Sequence, residues 1–328
     1  GVDMRLFNMF DLVMDYYTRS SNVIVEQDLA YEYGMYSMEM NGGKITNEGI
    51  EFTLSFTPVQ TKNWALNLSL NSSKNWNETG KPEYEPQRGE LLNGSSDKIL
   101  VEGYPVGGFW SYSFVGLSAE DGRPLFNYLD VPEEEVNGNV DPLTFLAYSG
   151  TSEPDFTGGL SFSLRYKNVT LSSGLSLLLG GKKRLPSPYE SIINGMYVPE
   201  PDVNLSKDLT KRWQRPGDEK RTNIPALVTN GSESIMTLPD GNTESWIALW
   251  EQSDEMVVDA SFLRCRQLSL TYRLGDEFCK KLKLKTFSVS ATVSNLFVIA
   301  NERFNGFDPE LGNSVYPKNY SIGINVGF

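Results

Sequence analysis

Histidine is missing altogether from this chain of 328 residues. The commonest general base and the commonest metal ligand are missing with it. Cysteine is almost as scarce. Cys265 and Cys279 are the whole supply, they stand in neither a CxxC nor a metal-ligand spacing, and the full strand length between them argues against a disulfide. No G-x-S-x-G stretch occurs, so enzymatic hydrolysis has little to work with. Positive charge is in deficit: 29 Lys and Arg stand against 42 Asp and Glu, a formal charge of -13. A phosphate backbone favours the opposite sign, so nucleic acid is excluded as a partner. No apolar run reaches roughly 18 residues, which rules out a transmembrane helix. An export signal is also absent: Gly1 opens directly into Val2-Asp3-Met4-Arg5-Leu6-Phe7, a strand-like stretch.

What the chain has in quantity is alternation. Tyr320, Ile322, Ile324, Val326 and Phe328 alternate with Ser321, Gly323, Asn325 and Gly327. Successive strand residues point to opposite faces, so this segment offers an apolar side and a polar side. The same pattern recurs with Ile50, Phe52, Leu54 and Phe56, and with Trp64, Leu66, Leu68 and Leu70. It recurs again with Leu160, Phe162, Leu164 and Tyr166, with Val169, Leu171, Leu175 and Leu177, with Leu268, Leu270, Tyr272 and Leu274, and with Phe287, Val289, Ala291 and Val293. Ser, Thr and Asn are the usual residues between. Upstream of Leu268 the phase fails, because Arg264 and Arg266 fall on the apolar face; a bulge, or a strand leaving the membrane, accounts for this. A transmembrane barrel requires such alternation in every strand, with lipid outside and a wet lumen inside. A mean hydropathy of -0.34 fits, since half of each strand and all of each loop are polar.

Connections alternate between short and long. Residues 58–63, 167–168 and 275–283 are short links, whereas residues 74–108, 130–157, 180–256 and 296–318 are long and rich in Gly, Pro, Asn and charge. Outer-membrane barrels have short periplasmic turns and long external loops. Counting back from the last strand requires a descending and a rising strand between residues 108 and 130. Residues 110–114 and 124–129 are the candidates, joined by an Asp121-Gly122 turn. The expected architecture is all-β: a transmembrane antiparallel β-barrel of about eleven strands in this chain. That odd number, and the missing export signal, imply further strands outside this sequence or on another chain.

Specific segments carry a family likeness. Asn41-Gly42-Gly43-Lys44-Ile45 with Asn47-Glu48-Gly49, and Asp259-Ala260-Ser261-Phe262-Leu263-Arg264, resemble strand starts of the SusC/RagA family of TonB-linked outer-membrane receptors. Asn295-Leu296-Phe297, Gly306-Phe307-Asp308-Pro309-Glu310 and Tyr316-Pro317 are similar to that family's closing segment. Arg212-Trp213, Pro216-Gly217 and Ile224-Pro225 resemble one of its external loops. The resemblance implies that residues 1–328 are the C-terminal portion of a barrel of about twenty-two strands, with plug and N-terminal domains outside this sequence. It further implies TonB-driven import of oligosaccharides or peptides across the outer membrane of a Bacteroidota cell. The implied partners are a SusD-like surface lipoprotein acting as lid, the TonB complex through the missing N-terminal part, the remaining barrel half, and a dimer of receptor–lipoprotein pairs. No cofactor, metal or catalytic residue is implied. A passive porin-like channel and a secreted carbohydrate-binding β-protein are the alternatives.

The candidate ligand contacts are Trp213 with Arg212 and Arg215 in the longest loop, where an indole beside guanidinium groups can stack on a sugar face. The other role for Trp213 is to anchor its loop or to meet the lid. Asn67 and Arg165, with Asn71 and Asn325, would face the lumen and meet passing substrate, or only hydrate it or pack on a plug. Trp246 and Trp250 read as girdle or loop packing. Glu133-Glu134-Glu135 with Asp130 and Asp141 could bind calcium but match no EF-hand spacing, and a solvated loop is the plainer reading. Asp308-Pro309-Glu310 looks like a carboxylate pair for catalysis, but a rigid loop brace suits it better.

Overall fold

Alternating residues form strands, and the computed structural model of this chain assembles them into one continuous wall. It describes residues 1–7, 9–93, 99–127, 140–189, 204–227 and 234–328, and of residues 25–28 the backbone alone. Nine antiparallel strands lie side by side in chain order: β1 (Val2–Leu6), β2 (Phe10–Asp28), β3 (Ser37–Gln60), β4 (Trp64–Thr79), β5 (Phe156–Tyr166), β6 (Val169–Leu179), β7 (Phe262–Arg273), β8 (Thr286–Ala300) and β9 (Asn319–Gly327). Among the described residues β1 and β9 do not pair with each other, so the wall has two open edges.

Register turns the alternation into continuous apolar rows. Leu6 faces Phe10, Phe10 faces Phe56, Phe56 faces Leu68, and Leu68 faces Phe162. The Phe10 and Phe56 rings stack with centroids 4.1 Å apart. A neighbouring row runs Leu66, Leu164, Leu171, Leu270, Ala291, Ile322. These residues are not gathered into a dry interior. Leu270 is 51% exposed, Ile324 66% and Ile322 81%, while Phe162, Leu164 and Val289 are half-buried. Each apolar side chain left in water forgoes roughly 1.5–3 kcal/mol of burial. A face built this way needs an apolar solvent, and hydrocarbon supplies one.

The buried cores lie elsewhere. Among the described residues the three hydrophobic clusters are built from the long connections, without a residue from a wall strand. The described parts of residues 80–155 and 180–261 fold into a cap over one end of the wall. It contains α1 (Arg88–Asn93), α2 (Trp246–Glu251) and several two-stranded ribbons. Here one expectation is corrected. Residues 110–114 and the described residues 124–127 do not cross the membrane, residues 128–129 lying outside the described ones; β4 pairs directly with β5. The described pieces, Gly108–Ser111, Phe114–Leu117 and Pro124–Phe126, pair within cap ribbons. They are far shorter than the roughly 9–11 residues a spanning strand needs, and Trp110 and Tyr112 are buried in the cap. Losing a descending and a rising strand leaves the odd parity intact.

The broken phase upstream of Leu268 is a bulge. Pairing runs Gln267 to Gly174 and then Cys265 to Leu175, leaving Arg266 as the extra residue. A one-residue slip exchanges the two faces. Cys265 and Leu263 therefore continue the apolar side with Leu175 and Leu177, and Arg264 swings to the polar side opposite Ser176. The Ser173 hydroxyl donates to the Gln267 carbonyl at 2.9 Å beside the bulge. Gly42, in the Asn-Gly-Gly segment, is a second extra residue, between pairs Val23–Gly43 and Ile24–Asn41. That bulge lets the start of the cap dock, with Gly80 donating to Lys44 and Glu83 to Gly42. Gly43 has φ +148, and a Cβ there would press on Leu100 at 3.0 Å.

Candidate functional site

Three segments that are scattered in the sequence meet where the wall joins the cap. Arg264 lies in β7, Asp308 and Glu310 lie in the loop before β9, and Tyr316 follows them. The Arg264 Nη2 donates to both Asp308 carboxylate oxygens, at 2.7 and 2.6 Å, and approaches Glu310 Oε2 at 2.9 Å. Its guanidinium lies over the Tyr316 ring at 4.9 Å and the Phe262 ring at 5.1 Å. Arg264 and Asp308 are both almost wholly buried. Glu310 also takes Arg266 at 3.3 Å, and its backbone carbonyl accepts from Lys183 Nζ at 2.6 Å. Burial lowers the Lys183 pKa, and the Asp308 and Glu310 charges oppose that shift. Gly312 closes the turn at φ +84, where a Cβ would meet the Lys183 side chain at 2.7 Å. Asp308-Pro309-Glu310 is thus a brace. Its carboxylates are occupied by arginines, a charge-assisted arrangement that fixes geometry.

The braced loop forms one side of a cavity of about 830 Å³, a size usual for a small-ligand site. Glu302, Arg303, Phe304 and Asn305 come from that loop, and Lys207, Lys211 and Arg221 come from the longest one. Trp250 and Met256 also line it. Lys211 pairs with Asp208 at 2.7 Å and Arg303 with Glu255 at 2.9 Å. Lys207 and Arg221 make no ion pair among the described residues, leaving cationic groups facing the space.

The sequence candidates fall into separate places. Trp213 is buried against Leu117 and Ala226, and its ring lies where a Cβ on Gly122 would sit, 2.4 Å away. Its backbone N–H donates to Ile224, while Ala226 donates to Gly122. Arg212 is half-buried and donates to the Leu209 carbonyl at 3.0 Å; Arg215 is exposed. Asn67 and Arg165 sit together on the polar face near the short turns: Asn67 pairs with Ser163 and Arg165 with Ala65, so they are diagonal neighbours. Asn71 and Asn325 are exposed. Trp246 and Trp250 are buried in the cap, so they pack the loops and are not a girdle. Of the acidic set, Asp130 and Glu133–Glu135 lie outside the described residues, and Asp141 caps a short turn by accepting from Leu143. Among the described residues no cluster of His, Cys, Asp and Glu could hold a metal. Both cysteines are free and buried.

Two features gave no signal in the sequence. Arg184 braces the cap from inside, donating to the Glu251, Ser253 and Trp110 carbonyls and to Ser111 Oγ. Burial lowers its pKa. The cavity lysines are far apart in the chain from Arg303, and only folding brings them together.

No protein-family model matches the chain. Over its full length it is 24% identical to TonB-dependent receptor P3 of Formosa agariphila, covering 32% of that protein. It is 25% identical to TonB-dependent receptor SusC of Bacteroides thetaiotaomicron over 89% of the chain and 27% of the receptor. Its fold matches a structure of the RagAB peptide importer in the open-open state, with TM-score 0.70 and 23% identity over 98% of this chain and 33% of that one. The chain spans about a third of the length of the relatives it matches. Both sequence relatives are TonB-dependent receptors by name. The chain is thus similar over its length to one part of SusC/RagA-type TonB-dependent receptors, and its antiparallel wall has the fold of part of such a barrel.

Proposed function

We propose that this chain forms the C-terminal part of the barrel of a nutrient importer that takes up oligosaccharides or peptides with energy delivered through TonB. The observation that carries the reading is the reversal of burial between wall and cap, which fits a membrane barrel roofed by folded external loops. The plug and the segment contacting TonB would lie in the N-terminal portion of the whole receptor. In this proposal the ligand meets the cap at the cavity, where Lys207, Arg221 and Arg303 offer donors to sugar hydroxyls or peptide carbonyls. Arg212 and Arg215, next along the chain from the cavity residue Lys211, would border the approach, with Trp213 anchoring their loop. Asn67 and Arg165 would touch cargo later, near the periplasmic end of the bore.

In this reading a SusD-like lipoprotein lid would meet the tip between β2 and β3. The connection between β2 and β3 exposes Tyr31, Tyr33, Met35 and Tyr36 at its tip. Aromatic and Met side chains are enriched at protein interfaces. The test is uptake of labelled oligosaccharide and peptide pools by cells carrying the whole receptor. Uptake that disappears when either the receptor or TonB is deleted is the expected result. Uptake that persists without TonB, together with swelling of unenergised liposomes containing the receptor, would replace the importer with a passive channel.

A further inference from the structure

We propose that the short-turn rim of the barrel is a phospholipid-binding collar, centred on the connection between β7 and β8. The connection holds a short helix, α3 (Asp276–Lys281), with two large exposed apolar residues, Phe278 inside it and Leu282 just after it. Phe278 and Leu282 are each 61% exposed and stand four residues apart, on one side of the turn. Cys279, between them in sequence, is buried, and its backbone carbonyl accepts from Leu284 at 2.9 Å. The apolar pair is therefore held outward by a fixed turn.

Basic residues surround it. Lys280, Lys281, Lys283 and Lys285 follow within the same connection, and the Lys281 ammonium lies 5.4 Å from the Phe278 ring centre. The other short turns add Lys62 and Lys167, against which stand Asp276 and Glu277. In a chain of net charge -13 this rim is a local reversal of sign. Trp64 and Tyr166 pack at 4.3 Å at the same end, with Lys167 over the Tyr166 ring at 5.3 Å. An apolar pair and aromatic rings ringed by lysines suit the boundary between acyl chains and phosphates.

Continuity identifies the occupant. The lipid-facing row of β7 runs through Leu268, Leu270 and Tyr272, and α3 follows that strand after a brief link. The surface beside hydrocarbon thus passes into a surface with lysines at headgroup depth. Phe278 and Leu282 would seat in the leaflet bordering the short turns, and the lysines would hold anionic headgroups.

The proposal rests on the membrane placement of the barrel, which heat-modifiable migration of the whole receptor checks separately. The experiment is native mass spectrometry of the full-length receptor in detergent, titrated with phosphatidylglycerol. Replacing Lys280, Lys281, Lys283 and Lys285 together by Gln should weaken lipid retention at least tenfold. Phe278→Ser with Leu282→Ser should weaken it severalfold, and Lys74→Gln at the opposite end should leave it unchanged. If the fourfold variant does not fold, the pair Lys280→Gln and Lys281→Gln should still cost severalfold. Wild-type retention in the folded lysine variants would overturn the collar. So would displacement of the lipid by inorganic phosphate at equal concentration, or occupation of this turn by a protein domain in the purified receptor.

Discussion

In the wall, Leu70, Leu160 and Leu270 keep much of their surface uncovered; in the cap, Leu91, Leu146 and Leu249 have almost none. The side chain is the same and the surroundings are opposite. Wall leucines lie in rows whose only neighbours are other strands of the same sheet, so their outer surface needs a solvent that is itself apolar. Cap leucines close on one another as in a water-soluble domain, by interior packing. One polypeptide thus uses two ways of satisfying apolar surface, divided at the ends of the strands. Polar groups divide in the same way. The wall leaves polar residues such as Asn71, Ser161 and Asn325 exposed on its polar face, whereas in the cap the half-buried Arg184 donates to loop carbonyls.

Four tests by substitution sharpen or break this division. The joint between the regions should be the most sensitive. Asp308→Ala leaves Arg264 buried without its main partner, which costs about 3–5 kcal/mol. Hydrogen exchange should then rise across residues 301–318, and pairing Asp308→Leu with Arg264→Met should restore most of the protection. Next comes the cap, where Leu249→Ala should cost about 2–5 kcal/mol. Limited proteolysis should cut the long loops while heat-modifiable migration of the barrel persists. Third, Leu160→Arg on the wall should cost about 2–4 kcal/mol in a bilayer, whereas Ser161→Arg on the other face should cost little. Equal penalties in a urea titration of vesicle-embedded receptor would mean that both faces touch the same medium. The smallest effect is expected at Ser173→Ala, about 1 kcal/mol, from losing the hydroxyl that serves the carbonyl beside the bulge.

The wall strands were readable because a period of two survives any tertiary context that keeps one face in lipid. The pair expected near residues 110–129 misled because Trp110, Ser111 and Tyr112 alternate over too short a span, and parity counts strands only in twos. Arg264 shows the other limit. Its place on the apolar face by simple alternation correctly signalled a bulge, but Asp308 stands far along the chain and nothing local joins them. Trp213 was legible as important, and its burial against Gly122 comes from a contact that the sequence does not encode nearby.

Taken alone, the order of residues determined that this chain alternates apolar and polar faces, that short turns oppose long loops, and that it holds no apolar run long enough for a membrane-crossing helix. Those features follow from strand geometry, which is local. Tertiary structure alone decided that β4 pairs with β5 across a long excursion, that the excursion carries the buried cores, and that Arg264 turns inward to clamp the loop before β9. Each of these depends on long-range register, where one extra residue, Arg266, exchanges the faces of a strand and changes which charges meet.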